Sequence, residues 1–134
     1  MKFLLGTDTC LGIMRENPGA CSHFERLSPD DAVISAPTYV ELYFLATYRQ
    51  VHLELARTAK AFLASIPVLP FDVVAARVYS RLWGPFGYVD LSESDQVILS
   101  VAIANRLTLV THCDKGFKNV PGLKVIDWMP SGPF

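Results

Sequence analysis

Residues 3–10 read Phe3-Leu4-Leu5-Gly6-Thr7-Asp8-Thr9-Cys10, and the fold turns on how that stretch divides. Lys2 to Leu5 is an apolar run too brief for a helix, while Asp8 or Thr9 suits the cap of a helix over Cys10 to Arg15. A strand therefore hands over at once to a helix. The same step recurs at Ala32-Val33-Ile34-Ser35, where Pro37 fits the first turn of a helix carrying Val40, Leu42, Phe44 and Leu45. Such alternation implies an α/β chain with a mainly parallel sheet of four to five short strands, covered by helices on both faces. Ligands of such sheets bind at the edge where the strands end, so the loops after each strand are the places to search for chemistry.

Outward from these two steps, Asn17-Pro18-Gly19 reads as a break before a short helix over Ala20 to Arg26. From His52 to Ile66, Leu55, Ala59, Phe62, Leu63 and Ile66 recur at helical spacing, which makes an amphipathic surface helix. Pro67-Val68-Leu69-Pro70 is a short edge piece. Asp72 caps a helix that runs to Trp83 and stops at Gly84-Pro85. Ser94 to Arg106 is apolar nearly all round, the mark of a helix covered on both sides. Leu107 to Thr111 and Lys124 to Ile126 complete the strands.

The 134 residues, 51% of them hydrophobic, suffice for one domain over residues 1–134. No run approaches the ~18 apolar residues of a membrane span, and the start lacks a signal-peptide layout, so a cytoplasmic protein without membrane attachment is expected. Three cysteines, Cys10, Cys21 and Cys113, in no CxxC arrangement fit reduced thiols better than a disulfide framework. A net charge of −1 gives no global attraction to nucleic acid, so binding a polyanion would need a local basic patch or a bound cation.

Four acidic residues fall where the strand ends should gather: Asp8 after the first strand, Glu41 in the helix after the second, Asp95 at the start of the nearly all-apolar helix, and Asp114 after Leu107 to Thr111. Carboxylates crowded at one edge repel, and a divalent cation is the usual way to keep several ionised together. Mg²⁺ suits oxygen ligands and can shift onto a phosphate substrate. Asp8 and Asp95 could equally be helix caps, and Glu41 a solvated helix residue.

The chain resembles the PIN domains, and within them the VapC-type toxins of bacterial toxin–antitoxin pairs. Leu4-Leu5-Gly6-Thr7-Asp8 resembles the opening LLDTN, and Ile34-Ser35-Ala36 to Val40-Glu41-Leu42 resembles ISA…AEL. Val68-Leu69-Pro70-Phe71-Asp72 with Ala75, Ala76 and Tyr79 is similar to VLPFD…AA..Y, and Leu91 to Asp95 with Ala102 to Asn105 is similar to the acidic helix segment. Leu109-Val110-Thr111, Phe117 and Val120-Pro121-Gly122 to Asp127-Trp128 are similar to the ending.

The resemblance implies a Mg²⁺-dependent endoribonuclease, with Mn²⁺ as substitute, commonly a homodimer, silenced by a VapB-type antitoxin in its acidic groove. Carried over by position, Glu41 and Asp95 are its second and third acidic residues. The first falls on Gly6, and Asp8 stands where asparagine or sometimes aspartate is usual. The fourth falls on Cys113, beside Asp114, and Gly116 stands where many relatives carry glutamate. Gly6 then removes a principal ligand and implies an impaired active site. Three explanations are open: a silencing substitution, drift to an inactive module that binds antitoxin or RNA without cleavage, or transfer of the ligand role to Asp8. The candidate catalytic set is Glu41, Asp95, Asp8 and Asp114, with the cation on Asp95, Glu41 and Asp8. Arg15, Ser92, Lys115 and Lys118 are candidates for RNA phosphate contacts. His112-Cys113-Asp114 lacks the supporting ligands of a zinc site.

Overall fold

A computed structural model describes residues 1–48, 52–86, 91–112, 116–117 and 119–132. Strands β1 (Phe3–Leu5), β2 (Ala32–Ser35), β3 (Val68–Leu69), β4 (Thr108–Val110) and β5 (Lys124–Ile126) form one sheet in the order β3-β2-β1-β4-β5. All four neighbouring pairs are parallel, with Leu4 opposite Val33 on one side and Leu109 on the other. Helices α1 (Thr7–Met14), α2 (Pro18–Glu25), α3 (Ala36–Thr47), α4 (Leu53–Ser65), α5 (Val73–Phe86) and α6 (Glu93–Ala104) complete the chain.

The two leucines of β1 show why its sequence is an unbroken apolar run. Leu4 packs with Val33, Leu109 and the α6 residues Leu99, Val101 and Ala102. Leu5 points the other way, into Ile34, Val110, Cys10 of α1, Leu42 of α3 and Phe62 of α4. Both are fully buried, so alternate residues of one strand feed two cores, as a parallel sheet covered on both faces requires. Helices α5 and α6 lie over the first core and α1 to α4 over the second, which gives the three layers expected. The edge strand β3 is held between Pro67 and Pro70, neither of which can donate to a ladder.

Four boundaries differ from the sequence reading, each for a local reason. Helix α1 starts at Thr7, with Gly6 as N-cap, because Gly6 stays extended while its carbonyl already accepts from the Cys10 amide at 3.1 Å. Asp8 therefore stands inside the first turn and is not the N-cap residue. Asn17-Pro18 starts a helix instead of breaking one: the Asn17 side-chain oxygen Oδ1 accepts from the Ala20 amide, and Pro18 sits where no amide proton is needed. Helix α5 continues past Gly84 to Phe86. Helix α6 starts at Glu93, since the Ser92 hydroxyl accepts from the Asp95 amide at 3.1 Å, and ends before Arg106, which takes a left-handed φ of 57°. No helix among the described residues is long and apolar enough to cross a membrane.

Candidate active site

The carboxyl ends of β1, β2 and β4 lie side by side; β1 is followed by Gly6 and β4 by Thr111, while β2 ends on Ser35. After Leu5 comes Gly6, whose amide donates to the Val110 carbonyl at 2.9 Å and so extends the β1–β4 ladder by one step. Above this edge is a cavity of about 830 Å³. Its walls carry Gly6, Thr7 and Asp8 from the β1–α1 junction, Glu41 from α3, and Ser92 and Asp95 from the start of α6. Leu91, Ile98, Leu109 and Phe117 give it an apolar side. Helix α3 touches α6 directly, which is how two residues more than fifty positions apart come to share one cavity.

Each carboxylate has a different setting. Glu41 is exposed, and its Oε1 lies 3.2 Å from the Thr7 hydroxyl. That hydroxyl is also 3.2 Å from the Thr38 hydroxyl, so with one proton directed at Glu41 it accepts from the buried Thr38. Asp95 is half-buried in the first turn of α6, where the helix dipole and the amides favour negative charge. The same α6 amides would attract a phosphate group brought into the cavity. Asp8 is half-buried and faces β4: its Oδ2 accepts from the His112 amide at 2.8 Å and the Thr111 hydroxyl at 2.9 Å, and its Oδ1 from the Thr9 amide at 2.8 Å. The Thr9 hydroxyl turns to the Val110 carbonyl at 3.0 Å. Asp8 thus ties α1 to the end of β4. The His112 ring meets Asp127 at 3.0 Å and carries the tie on toward β5.

Beneath the carboxylates lies Cys10, fully buried. Burial pushes its thiol far up, the negative charge of Asp8 adds to this, and Glu41 contributes more weakly in the same direction. The thiol stays protonated and unreactive, which fits a core role. Cys21 is half-buried and also free of any disulfide.

Of the sequence candidates, Glu41, Asp95, Asp8 and Ser92 line the cavity together with Gly6. Arg15 does not: it caps the far end of α1, roughly 12 Å along the helix from Thr7. Asp114, Lys115, Lys118 and Cys113 lie outside the described residues. Gly116 has a φ of 84°, and a Cβ there would stand 3.0 Å from Leu91 Cδ2, so the glycine is required by its backbone in this loop. Sequence reasoning missed Thr7, Thr38 and Thr111, the hydroxyls that orient the carboxylates. Thr38 had a usable signal, standing three residues before Glu41 on one helical face.

The donors suit a hard cation in type, being carboxylates and hydroxyls, but not in number. Among the described residues no three Asp, Glu, His or Cys side chains gather closely enough to hold a metal ion. Glu41 and Asp95 both line the cavity. Two carboxylates, completed by waters and a substrate phosphate, are a common way of holding Mg²⁺.

Sheet order and cavity define an α/β protein with carboxylates at its strand ends, and the family follows. The model of the PIN domain matches residues 7–123, and the chain belongs to that family. The chain is also 27% identical over 130 residues to the tRNA(fMet)-specific endonuclease VapC of Shigella flexneri, spanning 96% of this chain and 98% of that one. Among solved structures, the DNA-bound VapBC of Salmonella typhimurium superposes with a TM-score of 0.83 at 24% identity, covering 96% of this chain and 98% of the other. A toxin–antitoxin complex from Klebsiella pneumoniae gives a TM-score of 0.71 at 22% identity over 99% and 98%. At those identities the superpositions speak for the fold.

Proposed function

We propose that this protein is a VapC-type endoribonuclease toxin, cleaving RNA phosphodiesters with Mg²⁺ or Mn²⁺ and silenced by a VapB-type antitoxin, and that Gly6 leaves its cation site one carboxylate short. The observation that carries this reading is the meeting of Glu41 and Asp95, from α3 and α6, in one cavity at the strand ends of a PIN fold. Glu41 and Asp95 hold the cation, and Asp114, which follows β4 in the sequence, is a further acidic candidate. A cation bound there supplies positive charge to the scissile phosphate and a more acidic water. Thr7 fixes one oxygen of Glu41, the amides at the start of α6 receive phosphate, and Asp8 holds the β4 end in place. Ser92, Lys115 and Lys118 are the proposed contacts to RNA phosphates.

The antitoxin is proposed from the named complexes of the relatives and from α3, where Val40, Tyr43, Phe44 and Tyr48 stand exposed, Phe44 stacked on Tyr48. The exposed Val73, Val74 and Trp83 of α5 support a homodimer. The cytoplasm is the proposed location, where RNA and antitoxin are both met.

A second reading is a binding module that keeps the antitoxin or RNA surface without turnover, favoured by the absence of a three-ligand cluster among the described residues. RNA cleavage in Mg²⁺ or Mn²⁺ separates them, measured on the protein itself, on Gly6→Asp, and on Gly6→Asp with Asp95→Ala. Cleavage by the Gly6→Asp protein alone supports the disabled nuclease. Cleavage by the unaltered protein would show that the present carboxylates suffice. If none of the three cuts a broad RNA pool, the binding module is the better account.

A further inference from the structure

One buried side-chain oxygen among the described residues has no hydrogen-bond partner, the hydroxyl of Ser35. Ser35 is fully buried at the end of β2 and is the N-cap of α3, yet its side chain makes no cap hydrogen bond. A buried hydroxyl left without a partner costs stability, and such groups are rare enough to require a cause.

The cause lies one strand away. Leu4 pairs with Val33, so continuing the parallel register sets Gly6 beside Ser35. Gly6 and Ser35 both keep extended backbones, with ψ values of 163° and 164°, so the two-residue alternation of the strands carries through them. Val33, Leu4 and Leu109 share one core, and positions 35, 6 and 111 are the next layer on that same face. Position 6 has no side chain there. Ser35 therefore shares its layer with position 6, where glycine offers no side-chain acceptor.

The other side of Gly6 tells the same story. A Cβ placed on Gly6 would come within 3.0 Å of Asp8 Oδ1, 3.2 Å of the Val110 carbonyl oxygen and 3.6 Å of Thr111 Cβ. The closest atom is a carboxylate oxygen leaning toward the space beside the glycine.

We infer that Ser35 is a positioning residue for an acceptor side chain at position 6, orphaned by Gly6, and that the carboxylate of Asp8 leans toward the space that side chain would take. The inference rests on reading the edge as a nuclease site only for the purpose of the acceptor, since the hydrogen bond itself is independent of catalysis. A carboxylate or amide oxygen at position 6 accepts from Ser35 Oγ. A second carboxylate so close to Asp8 is repelled, and an uncharged partner at position 8 relieves this.

The test is a thermal-unfolding cycle in the presence of chelator, so that neither cleavage nor metal enters. Ser35→Ala is made in the protein as it stands and in Gly6→Asn, a neutral acceptor that avoids the charge conflict. The same pair is made in Gly6→Asp with Asp8→Asn. In the Gly6 background, Ser35→Ala is expected to leave Tm unchanged or raise it, because an unpartnered hydroxyl is removed. In either acceptor background the same change is expected to lower Tm by about 3–6 °C, since the new acceptor then loses its donor. An equal effect of Ser35→Ala in all backgrounds, or a loss of Tm in the Gly6 protein, overturns the inference. Should one acceptor background fail to fold, the other carries the cycle. Failure of the nuclease reading leaves these melting points untouched, so the two are told apart.

Discussion

Two successive layers on one face of the sheet make a sharp contrast. In the lower layer Leu4, Val33 and Leu109 lie side by side on β1, β2 and β4, fully buried and packed on α6. In the next layer, two residues on, the same strands carry Gly6, Ser35 and Thr111: a missing side chain, an unpartnered hydroxyl and a hydroxyl tied to Asp8. The first layer is settled by hydrophobic burial and tolerates no gap. The second is polar, and its Gly6 and Thr111 line the cavity. One step of the strand alternation thus leads from an apolar layer to a polar one, so a change at position 6 alters the polar layer while the core beneath stays complete.

That contrast can be broken from below. Leu4→Ala removes the centre of the lower layer and is expected to lower stability by about 2–5 kcal/mol in urea unfolding. A cost below ~1 kcal/mol would mean that the layer is not the core it is taken for. One layer up, Asp8→Ala leaves the His112 amide, the Thr111 hydroxyl and the Thr9 amide without their acceptor, with an expected cost of about 1–3 kcal/mol in the same assay. If Asp8→Ala is neutral, the tie between α1 and β4 is not a structural element.

A third probe uses Cys10. The native protein keeps its thiol proton, while the unfolded chain loses it above an ordinary value of 9.0. The folded state binds more protons, so this contribution is present below about pH 9 and is lost as the pH rises above it. Stability should fall by about 1.4 kcal/mol in all from this group between pH 8 and pH 10, most of it above pH 9, and Cys10→Ala should remove that fall in denaturant melts. The smallest effect is expected at Thr7: Thr7→Val removes the donor to the exposed Glu41 and the partner of the Thr38 hydroxyl, costing about 1 kcal/mol in stability. Its larger consequence should be a several-fold weaker response to Mn²⁺ in the Gly6→Asp background, measured by titration calorimetry.

The lower layer was legible in the sequence and the upper one only in part. Apolar runs too short for helices identified β1, β2 and β4, and the nearly all-apolar α6 was recognisable as a covered helix. Glu41 is found because its charge is conspicuous among apolar neighbours, and Asp8 and Asp95 because each stands where a helix begins near the strand ends. Ser35 was not: a serine before Ala36-Pro37 reads as a helix cap, and only the packed structure shows that its hydroxyl caps nothing. The start of α1 was misplaced for a related reason, since an aspartate near a helix start looks like a cap, whereas here the extended glycine holds that place and Asp8 bonds across to β4. Hydroxyl ties such as Thr7 to Glu41 and Thr111 to Asp8 join residues far apart in the chain and leave no periodic trace.

The central claim is that position 6 is where a cation-binding carboxylate is missing, and the most direct measurement is Mn²⁺ affinity by titration calorimetry on the unaltered protein and on Gly6→Asp with Asp8→Asn. The account predicts at least a roughly tenfold tighter complex in the double variant, abolished again by Asp95→Ala, as expected when a third carboxylate completes an oxygen-ligand site. Equal affinity in the two proteins, or tight binding by the unaltered one, would contradict it.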